Sequence, residues 1–134
     1  MRFMLFVYPG ENDEGPTLEL VEAMKRYNEE LSKAGALLAL DGLHPATAAT
    51  RLTFSGGDRP TVTDGPFTET KEFVGGYWII QARSKEEAVE LASRAPVRDG
   101  TIEVRQIADG SDYSPDVEAA SRLSQDPPEQ SRET

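Results

Sequence analysis

Apolar and polar residues alternate along this chain in blocks whose periods name their secondary structure. Arg2 to Tyr8, RFMLFVY, is a near-continuous apolar run stopped by Pro9-Gly10. It predicts a strand buried on both faces. After the polar ENDEG, Leu20, Met24, Tyr27 and Leu31 recur at helical spacing, joined by Val21 and Ala34. Charged residues fill the opposite side, Pro16 suits the first helical turn, and Gly35 is placed as a C-terminal cap. The pattern predicts an amphipathic helix of about five turns. Ala36 to Leu40, ALLAL, follows as a second buried strand.

DGLHPATAAT is then a connector. RLTF and RPTVT flank Ser55-Gly56-Gly57-Asp58, a hairpin signal. Phe73 to Arg83, FVGGYWIIQAR, is the strongest strand candidate, with Gly75-Gly76 marking a bulge or a close backbone approach. Ser84 with Glu87 three residues later reads as a capping box. Ala88, Leu91, Ala92 and Ala95 then form a narrow stripe up to Pro96. Thr101 to Ile107 alternates Ile102 and Val104 with Glu103 and Arg105, as in a half-exposed strand.

With the hairpin set aside, the order is βαββαβ, the ferredoxin-like arrangement of the α+β class. Both helices then pack on one face of an antiparallel sheet. The runs FMLFVY and YWII carry large apolar groups on both faces, so the second face needs a cover. A second copy of the chain, sheet against sheet about a twofold axis, predicts a homodimer. A monomer with the hairpin folded over the sheet is the alternative.

Composition sharpens this picture in three places. From Asp109 the chain turns rich in Ser, Pro, Asp and Glu, with few large apolar residues. Residues 109–134 are therefore expected to be a mobile acidic tail on a folded domain spanning 1–108. The net charge is −10, shared equally between the two parts. That argues against nucleic acid as a partner, since phosphate binding needs a basic face. The absence of cysteine removes disulfides and thiolate chemistry. The opening apolar run is too short for a membrane span and lacks the features of a signal peptide. A cytoplasmic protein without membrane attachment is expected.

The residues that could carry chemistry are few. His44 is the only histidine and sits just past a strand end, three residues after Asp41. A histidine titrates near neutrality and serves as general acid or base when a carboxylate orients it. Asp41 and Asp64 are the candidates for that partner. A loop histidine bonded to backbone is the competing reading. Asp64 opens Asp64-Gly65-Pro66-Phe67, which turn physics also explains: Asp bonds the backbone ahead, and Phe67 plugs into the core. Glu69, Lys71 and Glu72 form either a solvated face or part of a polar pocket walled by Tyr77 and Trp78. No phosphate loop and no Gly-x-Ser-x-Gly elbow are present. One histidine without cysteine makes a zinc site a poor fit, and no metal or cofactor is expected.

The run TVTDGPFTETKEFVGGYWIIQARSKEEAVELASRAP resembles the signature of DGPF-domain proteins, a branch of the YCII-related superfamily. MRFMLFV, YNEELSKAGALLALDGLHP, RLTFSGG and IEVRQI continue the resemblance to about Ala108. It implies a ferredoxin-like fold that dimerises as a dimeric α/β barrel. It supplies no activity. The wider superfamily includes proteins with a His–Asp pair in a pocket, and DGPF proteins are often encoded beside sigma factors. Two functions follow as expectations. One is a small-molecule-binding protein or cofactor-independent enzyme, with His44, Asp64 and Asp41 as the acid–base group and Lys71, Glu69, Tyr77 and Trp78 around the ligand. The other is a non-enzymatic regulatory or interaction module linked to sigma-factor-dependent transcription. The pocket of the first is expected between sheet and hairpin.

Overall fold

A computed structural model describes residues 1–10, 15–66 and 73–125. Its centre is a four-stranded antiparallel sheet. The strands are β1 (Arg2–Pro9), β2 (Leu37–Gly42), β5 (Gly76–Gln81) and β6 (Gly100–Gln106), in the spatial order β2-β5-β1-β6. β3 (Thr50–Thr53) and β4 (Thr61–Asp64) pair only with each other as a separate hairpin. Counting the sheet strands alone, the order is two-three-one-four, the ferredoxin-like topology. The hairpin is an insertion between the second and third of them.

Strand alternation divides the sheet into two faces. Phe3 lies opposite Ile80, and Leu5 opposite Trp78 and Val104. These side chains point to one face, where Phe3, Leu5, Trp78 and Ile80 are buried in one cluster with Tyr27, Leu31, Ala88 and Ala92. The last four belong to helices α1 (Leu18–Lys33) and α2 (Lys85–Ser93), so both helices cover this face. The other face carries Met4 opposite Ile79, and Phe6 opposite Tyr77. Neither helix lies there, and all four side chains are only half-buried.

Local chemistry sets the element ends. Thr17, not Pro16, opens α1: its side chain accepts from Leu20 N at 3.1 Å, which leaves Pro16 just outside the first turn. Gly35 ends the helix with φ at +70°, as the sequence requires. Ser84 caps α2 by accepting from Glu87 N at 3.1 Å. The expected reciprocal half of the box is missing, because the Glu87 carboxylate instead pairs with Arg83 at 2.9 Å. Gly76 marks a close approach rather than a bulge. A Cβ there would stand 3.0 Å from the Asp41 carbonyl oxygen. The register shift falls instead on the partner strand, between Leu37 and Ala39.

Beyond Ala108, regular structure reaches further than the composition suggests. A short turn at Gly110–Asp112 is held by Asp109 and Asp112, each capping the other's backbone. Helix α3 (Pro115–Gln125) follows where an irregular tail is expected. Pro115 at its start and Asp116 and Glu118 in its first turn favour it locally. It packs chiefly on the preceding turn.

The two helices are tied by Tyr27, whose hydroxyl donates to the Leu91 carbonyl at 2.7 Å. Burial pushes the Tyr27 phenol up to about 12; Arg94 opposes the shift and Glu30 adds to it. The fold therefore holds the neutral phenol. Its contribution is complete below the ordinary value near 10 and is lost between pH 10 and about 12. Replacing Tyr27 with Phe is expected to cost about 1 kcal/mol at neutral pH through the lost hydrogen bond. It should also remove an alkaline stability loss of about 2–3 kcal/mol. Urea unfolding of both proteins at neutral and strongly alkaline pH checks this; equal alkaline losses would refute the assignment.

Candidate functional site

A groove lies beside α1, at the sheet end where β1 and β2 finish and β5 begins. It encloses about 1140 Å³. Three sets of elements build it. One wall is the α1 stripe from Leu20 to Ser32, including Val21, Met24, Lys25, Asn28 and Glu29. The facing wall is the turn after β2, Gly42 to Ala46, which holds His44. Pro9 and Gly10 at the end of β1 and Phe73 to Gly75 before β5 close the end. Its surface is predominantly apolar, with a few polar groups, the composition of a small-molecule site.

Backbone bonds hold the walls in place. Leu43 N donates to the Gly75 carbonyl at 2.9 Å, and Gly75 N donates to Val7 O at 2.7 Å. The segment carrying His44 is thus fastened through Gly75 to β1. Gly75 itself is in contact with the Pro9 ring: a Cβ there would stand 2.8 Å from it. The two glycines of the GGYW run let three chain segments converge at the end of the groove.

The carboxylates expected to serve His44 are engaged elsewhere. Asp64 Oδ1 accepts from the Thr50 hydroxyl at 2.7 Å, bracing the hairpin across its open end. The adjoining Gly65 N donates to Ala49 O at 2.9 Å, and the Gly65–Pro66 peptide is cis. Asp41 Oδ2 accepts from the Tyr77 hydroxyl at 3.3 Å. Partial desolvation, with Asp41 adding to it, holds that phenol above its ordinary range. Neither carboxylate bonds to His44 or lines the groove.

Tyr77 and Trp78 do not form one wall. They are consecutive strand residues and point to opposite faces. Tyr77 sits on the uncovered face. Trp78 is 5% exposed and packs edge-on against Tyr27, with ring centres 5.3 Å apart. Glu69, Lys71 and Phe67 lie outside the described residues. The groove is also not between sheet and hairpin; no residue of β3 or β4 lines it.

Asn28, which no sequence motif singled out, lines the groove and is tied to Trp78 behind it. Trp78 Nε1 donates to Asn28 Oδ1 at 2.8 Å, and Asn28 lines the groove. A polar residue on the inner side of an apolar helical stripe was the available signal: Asn28 falls between Met24 and Leu31 on that stripe. Among the described residues, no three His, Asp or Glu side chains cluster as metal ligands do.

An α/β sandwich of ferredoxin-like topology, with a groove at one sheet end, is the class of protein defined here. The YCII-related domain matches residues 1–111, and the chain belongs to that family. An uncharacterised protein of Rhizobium meliloti (strain 1021) is 39% identical over 101 residues, 73% of this chain and 77% of the relative. Among solved structures, 5-chloro-2-hydroxyhydroquinone dehydrochlorinase from Burkholderia phenoliruptrix, in complex with 2,5-dihydroxybenzoquinone, is similar at a TM-score of 0.47 and 15% identity. The match covers 85% of this chain and 100% of that one.

Proposed function

We propose that this protein binds a small organic molecule in the groove beside α1, and that His44 exchanges a proton with the bound molecule. The carrying observation is the cavity of about 1140 Å³ with apolar walls and His44 on one side. An imidazole facing an apolar concavity is a common arrangement for proton transfer. With Asp41 and Asp64 bonded elsewhere, the imidazole is to be oriented by its ligand rather than by a protein carboxylate.

Two copies are proposed to pair through the uncovered sheet face. Met4, Phe6, Tyr77 and Ile79 form an apolar patch there, and Arg105 lies over the Phe6 ring at 5.9 Å. The hairpin separately exposes Leu52, Val62 and Phe54, the last 71% exposed. Apolar surface of this kind marks an association face, and a regulatory module would also use one. The groove opens at the sheet end beside α1, so pairing through the face and ligand binding are compatible.

A mixed-charge fragment library tests the site by amide shift mapping. Shifts are expected at Leu43, His44, Val74 and Gly75. Val21→Trp fills the groove from an exposed helical position and should abolish them; His44→Gln should retain binding but alter its pH dependence. Shifts clustered on Met4, Phe6, Tyr77 and Ile79, or no shifts from any fragment, would overturn the proposed site.

A further inference from the structure

The polar groups of the groove select the chemistry of what enters it. Asn28 is the informative one. An indole N–H can only donate, so the Asn28 oxygen must face Trp78. This orients the carboxamide: its oxygen is held by the core, and its NH2 group carries two donors with no partner among the described residues. Asn28 is half-buried in a mainly apolar wall, and its NH2 group stays accessible from the groove.

Lys25 stands one turn earlier on the same wall. It forms no ion pair among the described residues, although Glu29 is four residues on. At 3.6 residues per turn, Glu29 lies about 40° further from the Asn28 direction than Lys25 does, toward the outer rim. Ser32 adds a hydroxyl below Asn28, and His44 adds a ring nitrogen from the facing turn. The groove thus presents an exposed cation and several donors beside an apolar surface of Leu20, Val21 and Met24.

We infer that the groove takes a compact apolar molecule carrying one anionic oxygen group, a carboxylate or phenolate, with that group seated between Lys25 and the Asn28 NH2. This rests on the groove being the ligand site. Charge-assisted bonds from an ammonium and a fixed amide satisfy both groups at once. The rest of the molecule covers the apolar wall. Trp78 acts as a positioning residue: its N–H fixes which end of Asn28 faces the ligand.

The chain contains one tryptophan, so a single indole N–H resonance reports on Asn28 directly. Benzoate, cyclohexanecarboxylate and a nitrophenolate are titrated against it, with benzamide and benzylamine as the neutral and cationic arms. The two carboxylates or the phenolate should shift the indole resonance and bind at least about tenfold more tightly than either control. Which anion binds better separates carboxylate from phenolate. Asn28→Asp keeps the acceptor for Trp78 but replaces both donors with negative charge. It should leave the indole resonance in place and weaken the anion at least about tenfold. Lys25→Gln should weaken it about threefold to tenfold and lower the salt dependence. Benzamide or benzylamine binding as well as benzoate, or an unaffected Asn28→Asp protein, would overturn the inference while leaving the groove reading intact. No response to any probe would overturn both.

Discussion

Replacing Trp78 with Ala is expected to destabilise the protein by about 3–5 kcal/mol, the cost of emptying a large buried aromatic site. Replacing Tyr77, its neighbour in sequence, should cost the protomer less than about 1 kcal/mol, as for an incompletely buried side chain. The difference follows from facing. Trp78 points into the helix-covered core, makes the edge-on contact with Tyr27 and donates to Asn28. Tyr77 points to the uncovered face and bonds only Asp41. Trp78→Phe should fall between them, at about 1–2 kcal/mol, since it keeps a ring but forfeits the N–H bond. Urea unfolding over a range of protein concentrations separates the effects. The Trp78 penalty should persist at every concentration. If copies pair through the uncovered face as proposed, the Tyr77 penalty should grow with concentration. Equal, concentration-independent losses would show that the two rings share one environment.

Phe6→Glu should convert the proposed dimer to a folded monomer. Phe6 lies at the centre of the uncovered face, opposite Tyr77 on one side and Glu103 on the other. A carboxylate there would sit beside Glu103 and would have to be desolvated on pairing, at a cost of several kcal/mol. The dimer dissociation constant should rise by at least about a hundredfold. The far-ultraviolet circular dichroism should stay unchanged, because the Phe6 side chain is outside the helix-covered core. Sedimentation equilibrium of both proteins provides the check. A wild-type protein that sediments as a monomer would remove the proposed pairing, and an unaltered dimer in the variant would move it to another surface. The hairpin, with Leu52, Val62 and Phe54 exposed, would then be the next face to examine.

The fold was legible because its signals are local and repeat along the chain. Continuous apolar runs, a helical stripe and caps at Gly35 and Ser84 depend on near neighbours, and these elements form close to where the patterns place them. Helix α3 shows the weakness of composition alone: a polar, acidic segment still carries Pro115, acidic first-turn residues and helix formers in sequence order. The site was less legible. Asp64 stands in a dense polar stretch, but its partner is Thr50, fourteen positions back and across a hairpin. Asp41 is three residues from His44 yet bonds Tyr77 on a neighbouring strand. The sequence offered His44 one carboxylate three residues away and one in a turn motif, and cross-strand hydroxyls hold both.

The sequence by itself determined the ferredoxin-like order of elements and the core positions, because periodicity follows from backbone geometry that every residue carries. It also determined that one histidine would stand just beyond a strand end. Only the tertiary structure decided what His44 faces and what stands behind the facing wall. The groove exists because Gly75 and Gly76 let the ends of β1, β2 and β5 converge, and α1 closes it from the side. Asn28 and Trp78 are fifty residues apart, and their bond turns an ordinary helical asparagine into a fixed donor. Such a pairing depends on which strand lies beneath which turn of helix, and no local pattern encodes that.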